Sequence, residues 1–320
     1  MAERQPGGVC RVSNMKKRVT AAVIAALLIA LIVFGVTKIM DHPLWKIWRA
    51  VCKFDTAGSM RSEIAMEYEG SVTIKVFGAS VEAPFMLGAD LDAETVAEPA
   101  AAHIDGTMSA SVYGMSTETP LECYMRKEDG ENTAYLSADR EHWVRQITKD
   151  SGGQESAEEA RFMTDIKLGL LLINKYRNKE ITAQLAGGTE TISGQEACRI
   201  RVRINGLTLQ QMLEAASAGN TRLKLPEGLD LRGIEGGADL YLYEKTGYPA
   251  RITIDSAALG NTVIQSIMKE QEYVGATDKF TVAVTFTGYN TIDQIEIPEE
   301  VVSGAAESGQ DLIEDLIPGL

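Results

Sequence analysis

Histidine and tryptophan are scarce in this chain of 320 residues, at three each, and there are only four cysteines and nine prolines. The histidines, His42, His103 and His142, are isolated, and neither His-x-x-x-His nor Cys-x-x-Cys spacing occurs. The paired ligands of a zinc site are therefore missing. Also absent are a Gly-x-Ser-x-Gly elbow, a phosphate-binding loop and the glycine pattern of a dinucleotide site. Asp90-x-Asp92-x-Glu94 lacks the glycine and distal glutamate of a calcium loop and reads as a solvated acidic strand end. Glu155, Glu158 and Glu159 read as charges at the positive end of a helix dipole. The expectation is a non-enzymatic protein with no catalytic residue, no metal and no cofactor. No Asn-x-Ser/Thr sequon is present, which fits a bacterial product.

What the chain does have is one long uncharged run. Val19 to Thr37 is nineteen residues without a charge, introduced by Lys16-Lys17-Arg18 and closed by Lys38. At about 1.5 Å per residue such a helix is just long enough for a bilayer core. Five of the six basic residues among the first forty precede it, which places the N-terminus in the cytoplasm and the main domain outside. A cleavable signal peptide is the rival reading, but the run is longer than a usual h-region and no Ala-x-Ala site follows. A retained signal anchor is favoured. Arg49-Ala50-Val51-Cys52 lacks the aliphatic residue expected ahead of a lipidated cysteine.

The net charge is −14. The first forty residues carry +5, so subtraction leaves −19 for residues 41–320. That charge repels phosphate backbones, which excludes nucleic acid as a partner, and keeps a tethered domain soluble. Hydrophobic content of 45% allows a sizeable core. Cys52, Cys123 and Cys198 fall on the outer side, which leaves room for one disulfide and one remaining thiol. Connectivity is not legible in the sequence. Cys52 sits on an apolar helix face, which favours core burial, and the candidate pair is Cys123 with Cys198.

After the run, Asp41-His42-Pro43 opens a helix whose Leu44, Ile47, Trp48, Val51 and Cys52 share an apolar stripe, with Trp45 beside it. Two readings stand: the stripe packs into the domain core, which its width favours, or it lies on the membrane with both tryptophans at headgroup level. From Ser59 the period changes to two. Ile64, Met66 and Tyr68, then Val72, Ile74 and Val76, alternate with polar residues. Further extended stretches are expected over Val81–Asp92 and Ile104–Thr117, with a loop at Glu94–Ala102 and a break at Pro120. Asp129-Gly130 signals a hairpin between Leu121–Lys127 and Thr133–Leu136, and Glu141–Ile147 is one more strand. A helix follows to about Tyr176, with Phe162, Ile166 and Leu170 on its apolar face. Gly187–Gly194 is turn-rich, and Cys198, Ile200, Val202 and Ile204 then line one side of a strand. A short helix spans Leu209–Ala216. A hairpin turns at Lys245-Thr246-Gly247, and Val282, Val284 and Phe286 alternate in a late strand. Leu312, Ile313, Leu316 and Ile317 form an apolar stripe in an acidic tail.

The order of these pieces resembles the LolA-like superfamily, which includes LppX/LprG-type mycobacterial lipoproteins and related uncharacterised surface proteins of Gram-positive bacteria. The matching stretches are Ala57-Gly58-Ser59-Met60, Tyr124–Arg145 with Ala134-Tyr135-Leu136 and His142-Trp143, Ile192 through Ile200, Tyr241–Pro249, and Asn290 through Ile295-Glu296-Ile297-Pro298. Together they cover about residues 42–302. The resemblance implies an α+β fold: a strongly curved antiparallel half-barrel wrapped over a few helices, often with an acyl-chain cavity between them. One transmembrane helix would precede it, in place of the lipid that relatives carry. The expected organisation is a cytoplasmic tail at 1–18, the anchor at 19–37, the extracytoplasmic domain at 38–302 and an acidic amphipathic tail at 303–320. The expected function is to hold a lipid or other hydrophobic ligand, with Leu44, Ile47, Trp48, Phe162, Ile166 and Leu170 contributing the helix side of the site. The alternative is an interaction or sensor domain with a filled core and no ligand. The membrane is the one partner implied, and no protein partner is legible.

Overall fold

The computed structural model describes residues 42–76, 79–128, 131–149, 174–218, 230–268 and 274–307. The chain divides into two units, Met1–Arg49 and Ala50–Leu320. Of the first, the described part is the opening of helix α1 (Pro43–Asp55). Val19–Thr37, the helix bearing Phe162, Ile166 and Leu170, and the tail stripe from Leu312 lie outside the described residues. Among the described residues no helix is long and apolar enough to cross a membrane.

The second unit is organised by one sheet. Strands β1 (Ser59–Val76), β2 (Ala79–Val96), β3 (Ala101–Val112), β4 (Met115–Glu128), β5 (Glu131–Ser137) and β6 (Val144–Lys149) form an antiparallel meander. A second meander holds β7 (Ile181–Ile192), β8 (Gln195–Asn205), β9 (Glu235–Tyr243), β10 (Pro249–Asp255) and β11 (Val274–Tyr289). Helix α2 (Gly206–Ala218) follows β8, and helix α3 (Ala257–Met268) follows β10. The two meanders join where β1 pairs with β11, the first strand with the last long one. After β11 come helix α4 (Glu299–Gly304) and the two-residue β12 (Ala306–Glu307), which pairs in parallel with β6. The order β12-β6-β5-β4-β3-β2-β1-β11-β10-β9-β8-β7 leaves β12 and β7 as edges, so the sheet is open. It is also mixed, not purely antiparallel, because of β12.

Local chemistry explains most boundaries. Tyr113-Gly114 and Ser193-Gly194 each have positive φ at both residues, which is the two-residue turn whose twist matches flanking strands. Ile104–Thr117 is therefore not one strand but two, folded back at Gly114. Pro120 does not break β4. It pairs with Thr107 of β3, while β5 joins β4 only from Glu122 onward. On that stretch β4 has an open side, where the missing N–H of a proline costs no ladder bond. The expected loop at Glu94–Ala102 shrinks to a turn, since β2 continues to Val96 and β3 begins at Ala101. The expected hairpin pairing of β4 with β5 is present, with Glu128 opposite Glu131, while Asp129 and Gly130 lie outside the described residues. Two helices are capped by the residue just before them or at their edge. The Asn205 side-chain oxygen accepts from the Thr208 N–H at 2.8 Å, and the Ser256 hydroxyl accepts from the Leu259 N–H at 3.2 Å. The second of these begins α3, a helix absent from the sequence expectation.

Cys123 and Cys198 are both free thiols, on β4 and β8 with six strands between them, so the expected disulfide is not formed. Cys52 is free and exposed, not buried in the core. The reason is the rotation of α1: Ala50 is its buried residue, and Cys52 lies about 200° around the helix from it.

Candidate functional site: an apolar sheet face

In a strand, successive side chains point to opposite faces, and directly paired residues share a face. Following the register outward from Ile64 gives a row across nine strands: Leu121, Gly106, Leu91, Ile64, Val284, Ile252, Leu240, Ile200 and Leu185. Every member is apolar. The row through Met66 repeats the pattern, with Met108, Ala89, Val282, Ile254, Ala238, Val202 and Ala183, and reaches Thr119 at one end. One face of the sheet is thus continuously apolar over both meanders. Gly106 keeps its row tight, because a side chain there would run into the Asp90 carbonyl and Leu91.

The opposite face is polar across its middle, and its ends carry buried clusters: Tyr124, Tyr135 and Trp143 with Val301 of α4 at one, and Ile192, Ala197, Tyr241 and Tyr243 at the other. The row through Glu63 reads Glu122, Asp105, Asp92, Glu63, Thr285, Arg251, Tyr241 and Arg199, acidic on the β1–β4 side and basic on the β8–β10 side. Arg199 and Arg201 both bond Asp239, the latter at 3.1 Å, and Lys279 reaches Glu67 at 2.6 Å. His103 stacks on Tyr124 with ring centroids 4.3 Å apart, and both bond the Glu122 carboxylate. Burial first, then that carboxylate, raise the Tyr124 phenol well above its ordinary pKa. Two open depressions lie on this face. One of about 500 Å³ is floored by Ala65, Gly88 and Ala283; another of about 630 Å³ lies beside Arg201, Arg203 and Lys179. Asp90, Asp92 and Glu94 share this wet face, where Glu94 pairs with Arg61 at 2.7 Å. Among the described residues no group of three or more His, Cys, Asp or Glu could hold a metal.

Helices meet the apolar face at two places along β11. Phe54, in the last turn of α1, packs edge-on against Phe286 with centroids 5.5 Å apart. Lys53 anchors that turn by donating to the Thr246 carbonyl, with its ammonium over the Tyr248 ring. Gly260 of α3 lies flat against Phe280, and a side chain at that glycine would strike the Phe280 ring. Phe286 and Phe280 share a face and are six residues apart, about 20 Å along an antiparallel strand. Between them Val284, Val282, Ile64 and Met66 are only half-buried. Farther out on the same face Met108 is 40% and Leu185 47% exposed, while Ile200 in the same row as Leu185 is wholly buried.

Of the residues expected from sequence, Leu44 and Ile47 are half-buried on α1, whereas Trp48 is exposed. Phe162, Ile166 and Leu170 lie outside the described residues. The sheet residues were missed as ligand-facing, although the alternation at Ile64, Met66, Val282 and Val284 was the available signal. Cys123 belongs to the apolar face, opposite Ile104 and Leu136, and burial pushes its thiol up to about 11. That environment disfavours the thiolate, the form that reacts.

The described residues define an α+β protein built on a single wide open sheet, apolar on one face and polar across the middle of the other. No family model and no curated protein matches the chain. Solved structures similar to it include the lipoprotein LppX of Mycobacterium tuberculosis, at 14% identity and a TM-score of 0.36, covering 78% of this chain and 96% of that one. A beta-barrel-like protein of the domain of unknown function DUF1849 from Brucella abortus is similar at 10% identity and a TM-score of 0.19, over 72% and 98% of the two chains. A DUF1329 family protein from Desulfovibrio piger is similar at 12% identity and a TM-score of 0.20, over 80% and 95%.

Proposed function

We propose that this chain is a membrane-tethered extracytoplasmic protein that holds a lipid or similar apolar ligand against the apolar face of its sheet. The observation that carries the reading is the nine-strand apolar row, only partly covered between the two helix contacts on β11. Each methylene that a ligand removes from water there contributes about 0.8 kcal/mol. In this reading the sheet curves around the ligand as a half-barrel. Right-handed strand twist and the register shifts at Arg61/Ser62, Glu69/Gly70 and Ala186/Thr189 favour such bending. The tether is Val19–Thr37, oriented by Lys16-Lys17-Arg18 with the N-terminus inside. A tethered holder receives and releases its ligand at its own membrane, since it travels no farther than its linker allows. Purification in mild detergent followed by mass spectrometry of extracted material is the test, and bound acyl lipid is the expected result. Preparations repeatedly free of lipid, and unable to take up a fluorescent fatty acid, would leave the filled-core interaction domain as the reading.

A further inference from the structure

A cluster of exposed apolar side chains surrounds the turn between β3 and β4. Met115 is 76% exposed, Tyr113 50%, Met86 48% and Val112 38%. The register places them on both sides of the sheet. Phe85, Val112 and Met115 form a row on the apolar face, while Met86 shares a row on the opposite face with Ser111 and Ser116. That opposite face is charged farther along the same strands; at this tip β2, β3 and the turn are not. Residues 83–89 and 106–117 carry no charge, in a chain of net charge −14. The charges that border the tip are Glu82, Glu118 and, opposite Met86 on β1, Glu69, which reaches Lys279 at 3.7 Å.

We propose that this tip seats in the headgroup interface of a lipid bilayer, so that the apolar face of the sheet opens directly onto the membrane. Exposed apolar surface of this kind marks a contact, and its shape selects the partner. A protein surface covers one side of a β-turn, whereas a bilayer surrounds both sides, and both are uncharged and open here. Tyr113, whose residue type favours the membrane interface, stands at the turn itself. Depth is limited by the backbone. Among the described residues β5 joins β4 only from Glu122, so the outer edge of residues 115–121 offers N–H and C=O groups that no strand pairs. Hydrocarbon cannot satisfy such groups, and the bordering carboxylates resist deeper entry as well. The row through Phe85 continues on the same side of β2 into Leu87, Ala89 and Leu91, so the seat is continuous with the face proposed to hold the ligand. The inference rests on that reading, and adds where the ligand enters.

The test places the photoreactive amino acid benzoylphenylalanine at the position of Met86, Met115 or Gln184 in the full chain, reconstituted in phosphatidylcholine vesicles. All three positions are exposed, and Gln184 lies on the polar side of β7 away from the tip. After irradiation, mass spectrometry is expected to find phospholipid adducts at both Met86 and Met115, at least about ten-fold above Gln184. Met86 is the decisive position, because a ligand held on the apolar face lies across the sheet from it. Adducts at Met86 no more frequent than at Gln184 overturn the docking, even where Met115 is labelled. A second measurement follows the transfer of a fluorescent fatty acid from vesicles to protein. Tyr113→Asp with Met115→Glu is expected to slow it about ten-fold, while equilibrium affinity in detergent stays at the parent value. An unchanged transfer rate also overturns the docking. Failure of the ligand reading looks different: the parent chain then takes up no fatty acid in detergent, whatever the adducts at Met86.

Discussion

Truncating two isoleucines of one row separates a ligand floor from a sealed core. Ile200 and Ile64 lie four strands apart in the row, Ile200 wholly buried and Ile64 half-buried. Ile200→Ala deletes about three methylene equivalents and leaves a cavity, which costs about 2–5 kcal/mol in a close-packed interior. The same deletion at Ile64 removes a side chain already partly open to water, so about 1–2 kcal/mol is lost. The assay is equilibrium urea unfolding of lipid-stripped protein in mild detergent, followed by circular dichroism, with an unchanged slope required for comparison. Ile64→Ala should also weaken fatty-acid binding, by about five-fold for 1 kcal/mol, while Ile200→Ala leaves affinity nearly unaltered. If Ile64→Ala destabilises the stripped protein as much as Ile200→Ala, the floor is part of a filled core and no ligand site lies on it.

Other outcomes follow from single contacts. Gly260→Val should disrupt the seat of α3 on Phe280 and cost about 1–3 kcal/mol, read as a lower urea midpoint. Thr208 is fully buried and donates to Glu180 at 2.9 Å, so Thr208→Val should cost about 1 kcal/mol in the same assay. The Lys175 ammonium, then the Thr208 hydroxyl, hold the Glu180 carboxyl below its ordinary 4.5. Its contribution to stability is therefore whole above pH 4.5 and lost as pH falls through the lower folded value; Glu180→Gln should flatten that acid limb of the urea midpoint against pH. Alkylation mapped by mass spectrometry at pH 8 should mark Cys52 well before Cys123, whose thiol titrates near 11, and the intact mass should carry no Cys123–Cys198 bond.

Much of the candidate site was legible as alternation. Ile64, Met66 and Tyr68, Cys198 through Ile204, and Val282 through Phe286 each announce a two-faced strand from their own neighbours. Pro120 and Gly114 were misread because their meaning depends on which side of β4 is paired and where β3 turns back. Helix α3 carries a cap at Ser256 and apolar residues after it, signals present in the sequence but outweighed by the strands on either side.

Residue order alone shows strands that alternate apolar with polar side chains, a single uncharged run ahead of the domain, and no familiar catalytic or metal pattern. Periodicity and composition are local properties and need no partner to be read. Folding in three dimensions is what pairs β1 with β11 and so merges two meanders into one apolar face. It also put six strands between Cys123 and Cys198, and turned Ala50 inward and Cys52 outward on α1. Strand pairing and helix rotation are set by residues distant in the chain, and a one-residue change in register or a 100° turn of a helix reverses which side chains meet water.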